Sequence, residues 1–150
     1  MKSHKIVAAL LAILLHQTVA FSRTVDCNEV KHFKSGALRE SHASLRFNNT
    51  VVESFFYNGV MASGKVGEAY FCDLEINRKD KNSKWLADEQ KISIWLKGAI
   101  DNDEPSIEIT TKEGQTIFIF NVSPTEYCGF GAEFPSKMIR SQKGKCTATY

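Results

Sequence analysis

Most local signatures of catalysis and of nucleotide binding are missing from this sequence. It has no G-x-S-x-G, no H-E-x-x-H and no P-loop, which removes the usual patterns for a serine hydrolase, a zinc protease or a phosphate-gripping NTPase. C-x-x-C is absent as well, and only His32 and His42 lie beyond the first 20 residues. That ligand supply is too poor for a zinc site. Beyond those 20 residues no apolar run approaches the ~20 residues that span a bilayer. There is no basic excess either. Lys2 and Lys5 are two of the 19 basic residues, so the rest of the chain carries 17 against 17 acidic. General nucleic-acid binding normally needs a surplus of positive charge, so no nucleic-acid partner is expected. No repeat, low-complexity tract or linker divides the chain.

What is present begins with an export signal. Lys2 and Lys5 precede ten apolar residues, Ile6 to Leu15, and Thr18-Val19-Ala20 offers small residues for cleavage. Residues 1–20 read as a signal peptide, because His16 and Gln17 end the apolar run too early for a membrane span. Residues 21–150 then read as a single domain, periplasmic or secreted.

All four cysteines, Cys27, Cys72, Cys128 and Cys146, fall in that domain. An even count in an exported chain favours disulfides. The spacing of cysteine and glycine in Ser123 to Tyr150 reads as a bridged hairpin closing the fold. The preferred pairing is therefore Cys128–Cys146 with Cys27–Cys72, each joining neighbouring segments, although three pairings are possible.

The remaining chain reads as short strands. Thr50 to Tyr57 is β-branched and aromatic. Glu68 to Asn77 alternates, with Tyr70, Cys72, Leu74 and Ile76 on the inner face. Lys91 to Leu96 alternates too, and Ser106 to Thr111 and Thr116 to Val122 flank a Glu113-Gly114 turn. Asn48-Asn49 and Asn58-Gly59 read as further turns, and Val25 to Lys34 as a helical turn or loop. The expectation is all-β: an antiparallel β-sandwich or barrel of about eight strands, stapled by disulfides.

Residues with chemistry are few. Asp73 and Glu75 share one strand face, where a solvated surface outweighs a glycosidase pair. Asp101 to Glu104 lacks the glycine and distal glutamate of a calcium loop. Lys137, Arg140, Lys143 and Lys145 form a basic cluster beside Cys146 that reads first as a charged hairpin surface. Asn48 and Asn121 stand in formal glycosylation sequons. Neither an enzyme nor a cofactor is expected. The Ala62 to Ala69 loop, with Ser63, Gly64 and Gly67 before Tyr70, has the composition of a binding loop on a rigid scaffold.

Ser63-Gly64 followed by Tyr70, and then Trp95-Leu96-Lys97-Gly98-Ala99, resemble small exported bacterial lysozyme inhibitors of the c-type and invertebrate-type families. The loop here is longer, and Ser63 and Lys97 stand further apart than in those families. The resemblance implies a binding surface of Ser63, Gly64, Tyr70 and Lys97, with Ser63 and Lys97 meeting the catalytic carboxylates of a lysozyme cleft. The expected function is thus a protein that inhibits a peptidoglycan hydrolase by loop insertion. An immunity protein against a secreted toxin and a secreted effector or envelope hydrolase are the alternatives.

Overall fold

The computed structural model describes residues 21–99, 102–123, 125–129, 131 and 133–150. The expected signal peptide, 1–20, lies outside the described residues. The fold is an antiparallel sandwich. Strands β1 (Ser22–His32), β2 (Leu38–Asn48), β3 (Val51–Ala62) and β4 (Ala69–Asn77) form a four-stranded sheet in chain order. Strands β5 (Ser83–Ala87), β6 (Lys91–Leu96), β7 (Ile107–Lys112), β8 (Gln115–Phe120), β9 (Lys137–Arg140) and β10 (Cys146–Thr149) form a six-stranded sheet, also in chain order. One helical turn, α1 (Thr125–Cys128), interrupts the path from β8 to β9. No helix among the described residues is long and apolar enough to cross a membrane.

Each sheet is a meander, and local turn chemistry closes its tight hairpins, β2–β3 and β7–β8 among them. Asn49 takes φ 55° after β2, as asparagine tolerates better than most residues. Glu113 and Gly114 take φ 52° and 76°, the pair of positive values that a two-residue hairpin with right-handed twist requires. A bulge in β3 explains an otherwise irregular pattern. The register steps from Arg46↔Ser54 to Phe47↔Val52, leaving Glu53 as the extra residue. Val52 and Phe55, three apart, consequently both point inward and are buried.

The core lies between the sheets. Leu45, Phe55, Tyr57 and Ile76 from one sheet meet Ile94, Ile107, Ile109, Phe118 and Met138 from the other. Tyr57, Phe120 and Phe134 form an aromatic knot, with Phe120 stacked on Phe134 at 5.3 Å and Tyr57 edge-on to both. Each such side chain contributes roughly 1.5–3 kcal/mol on burial.

Three local readings need correction. Val25 to Lys34 is neither helix nor loop: it falls largely in β1, an eleven-residue edge strand. An edge strand covers little core, so only Cys27 in it is fully buried, and the apolar alternation is faint. Asn58-Gly59 is no turn and lies inside β3. A Cβ on Gly59 would sit 2.6 Å from the Tyr57 hydroxyl, so the glycine makes room for that ring. The chain reverses later, at residues 63–68.

The third correction is the cysteine pairing. The bonds are Cys27–Cys146 and Cys72–Cys128, with Cα–Cα distances of 5.4 and 4.9 Å. Neighbours in sequence are not neighbours in space here. The closing hairpin of β9 and β10 returns to the β1 edge, where Cys146 meets Cys27, while α1 packs on β4 and carries Cys128 to Cys72. The two links close sequence separations of 119 and 56 residues. Loops that long correspond to about 4–5 kcal/mol each in the chain-entropy treatment.

Candidate binding surface

The β3–β4 connection is an exposed tip closed by its own hydrogen bonds. Ser63 N–H donates to the Glu68 carbonyl at 3.1 Å, and the Ser63 hydroxyl donates to the Glu68 carboxylate at 2.7 Å. Lys65 N–H donates back to the Ser63 oxygen at 3.3 Å. Gly64 and Gly67 both take φ 85°, a region that side chains disfavour. Gly64 also braces the tip laterally, since a Cβ there would lie 2.9 Å from the carbonyl carbon of Gly36 in the β1–β2 turn. Between the two glycines, Val66 stands wholly in solvent at 106% relative exposure, next to exposed Lys65. An aliphatic side chain held at an apex by a braced backbone is the outlying feature of this loop.

At the foot of the tip lies a polar cluster that interrupts the apolar inner face. The guanidinium of Arg39 sits 3.9 Å from the Tyr150 ring centre and 5.7 Å from that of Phe33. It donates to the Glu133 carboxylate at 2.9 Å. The Ser41 hydroxyl joins two phenols, Tyr57 at 3.2 Å and Tyr150, and the Tyr57 hydroxyl donates to the Glu133 carbonyl at 3.3 Å. Burial pushes the Tyr57 phenol far above its ordinary value, and burial likewise raises Tyr150. Both rings therefore remain neutral hydrogen-bonding groups through ordinary pH. Tyr70, half in solvent, packs over Gly131, where an added Cβ would come within 2.4 Å of its ring. The cavity beneath Tyr70 and Tyr150 holds about 10 Å³, room for about one water. A shallow groove lined by Phe33, Met61, Ser63 and Tyr70 runs beside it toward the tip.

Of the residues singled out from sequence, Ser63, Gly64 and Tyr70 fall at this end of the four-stranded sheet. Lys97 does not join them. It follows β6 in the other sheet, where its carbonyl accepts the Tyr127 hydroxyl at 3.2 Å. The Ser63 hydroxyl is spent within its own loop, so the exposed cation beside it is Lys65. Asp73 and Glu75 are exposed on the outer face, and Asp73 accepts from Asn58. Asn102, within the acidic turn, accepts the Trp95 indole N–H at 3.0 Å, while Asp101 lies outside the described residues. Among the described residues no three His, Cys, Asp or Glu side chains gather as a metal site. The sequon residue Asn48 is exposed and bonds Glu53; Asn121 bonds the Pro105 carbonyl.

Sequence reasoning passed over Arg39, Ser41, Glu133 and Tyr150. One signal was available: Arg39 and Ser41 occupy the inward phase of the strand that continues Ala43, Leu45, Phe47. An arginine on a core-facing phase is a marked departure from ordinary patterning. No family model, no curated protein and no solved structure matches this chain.

Proposed function

We propose that this protein is an exported binding module that engages a macromolecular target through the β3–β4 tip, and that the target is a peptidoglycan hydrolase whose cleft the tip enters. The observation that carries the reading is Val66, fully exposed between two left-handed glycines on a loop braced by Ser63, Glu68 and Gly36. A loop held by its own hydrogen bonds loses less entropy on docking than a free one. A protruding apolar apex with an adjacent ammonium suits a cleft that presents apolar walls and paired carboxylates, as glycan hydrolases do. The aromatic and arginine side chains beside the tip, Phe33, Arg39, Tyr70 and Tyr150, are the types enriched in protein interfaces. In this reading Lys65 takes the role that the sequence resemblance gave to Lys97. Two disulfides and the absence of a spanning helix among the described residues accord with an oxidising, extracytoplasmic setting.

The test mixes residues 21–150, oxidised, with lysozymes of several types and with bacterial muramidases in a cell-wall clearing assay. Stoichiometric inhibition of at least one enzyme is expected. Lys65→Glu with Val66→Asp should abolish it while leaving the thermal midpoint unchanged, because both side chains are exposed. No inhibition of any enzyme at micromolar excess removes the reading.

A further inference from the structure

The near-zero net charge of residues 21–150 conceals a separation of charge between two flat surfaces. In the six-stranded sheet the inward positions are those of Ile92, Ile94, Ile107, Ile109, Phe118 and Met138, so the alternate positions point outward. There the register sets Ile139 beside Ile117, with Ile119 in the next row, as a half-buried aliphatic centre. Around that centre stand Lys91, Lys112 and Lys137, with Lys145 at the β9–β10 turn and Glu113, 4.0 Å from Lys112, at the β7–β8 turn. Glu108 is the single outward carboxylate on the described strands of this face, and Lys91 binds it at 2.6 Å.

The outer face of the four-stranded sheet is the opposite. Its centre is Phe56, Val60 and Phe71, the last 61% exposed. Its carboxylates are Asp26, Glu40, Asp73 and Glu75, against one strand arginine, Arg46. One face is thus an apolar centre rimmed by lysine, and the other an apolar centre rimmed by carboxylate. Four strands ~4.8 Å apart and 9 to 12 residues long give a face on the order of 700 Å², and six strands of 4 to 6 residues give one on the order of 500 Å². A contact limited by the smaller face falls below the roughly 800 Å² per partner of a standard stable interface, so the association is weak and concentration-dependent.

From this complementarity we infer that the occupant of the lysine-rimmed face is the carboxylate-rimmed face of a second copy of the chain. The contact is heterologous, so each added copy leaves one basic and one acidic face open. Association is therefore open-ended and does not stop at a symmetric dimer. Its electrostatic part is exposed and screened by salt. The inference is independent of the tip and of any hydrolase.

Sedimentation velocity on the oxidised protein tests it across a concentration series at low and high salt. The expected result is a weight-average mass that climbs past the dimer at low salt and returns to the monomer at high salt. Two charge reversals, Lys112→Glu/Lys137→Glu/Lys145→Glu and Asp73→Lys/Glu75→Lys, should each weaken self-association by about tenfold or more. Mixed together they should associate again and grow past the dimer, because each retains the face the other has lost and the two reversed faces are themselves opposite in charge. These positions are on the surface, and intact disulfides with an unchanged circular dichroism spectrum confirm that both variants are folded. A monomer at all concentrations, a symmetric dimer without further growth, or association that neither reversal alters overturns the inference. So does a lysine-rimmed face that retains heparin or anionic vesicles while the protein stays monomeric.

Discussion

Arg39 and Tyr150 sit at opposite ends of the domain's sequence, yet the guanidinium lies 3.9 Å from the tyrosine ring centre, and Ser41, two residues on, bonds the same tyrosine's hydroxyl. Tyr150 is therefore a clasp that holds β10 against β2. Tyr150→Phe should cost about 1 kcal/mol through the lost hydrogen bond. Tyr150→Ala, which also loses the ring beneath the cation, should cost roughly 2–3 kcal/mol. Urea unfolding of the two variants beside the parent measures both, and equal costs would show that the ring contributes nothing.

The disulfides make a second prediction. Non-reducing peptide mapping should recover Cys27 with Cys146 and Cys72 with Cys128. Replacing either pair by serine should lower stability by about 2–5 kcal/mol. The Cys72/Cys128 replacement should also free α1 from β4, visible as faster amide exchange around Tyr127.

Three glycines separate two kinds of constraint. Gly59→Ala meets the Tyr57 hydroxyl at 2.6 Å in the core, and overpacking of this sort costs about 1–3 kcal/mol. Gly64→Ala meets backbone atoms of Gly36 at 2.9 Å and also needs a left-handed φ. Gly67→Ala meets nothing within 4 Å and bears only the left-handed strain, about 1 kcal/mol. Thermal denaturation should rank Gly67→Ala as the mildest of the three.

The class of fold was legible because burial on alternate residues marks each central strand. Cys72, Leu74 and Ile76 do face inward on β4, while Tyr70 on the same phase is half in solvent, and Glu113-Gly114 does turn. What failed was whatever depends on distant neighbours. Gly59 looks like a turn until Tyr57 is seen to need its space. β1 looks featureless because an edge strand has few positions to bury. Cysteine partners follow which sheet edges meet, and no spacing encodes that. The tip could be read from its glycines and serine. The cluster behind it could not, since Arg39, Glu133 and Tyr150 come from three separated stretches that only the completed sandwich brings together.

Alkaline pH gives the last prediction. Tyrosine is neutral when protonated, and burial raises Tyr57 and Tyr150 above the ordinary 10.0 in the folded chain. A raised folded value means that the native state holds these protons more tightly than the unfolded chain does. Their contribution to stability is therefore complete below pH ~10 and declines as pH rises above it. Phenolate absorbance should thus show Tyr57 silent until the fold opens, its ionisation coinciding with loss of the β-sheet circular dichroism signal. Tyr57→Phe should remove that coincident step and delay alkaline unfolding. The same change should weaken the protein at neutral pH by about 1 kcal/mol, because Ser41 and the Glu133 carbonyl then lose a partner. If Tyr57 instead ionises in the intact fold near the ordinary value, the hydrogen-bonded, water-poor setting described for it is wrong.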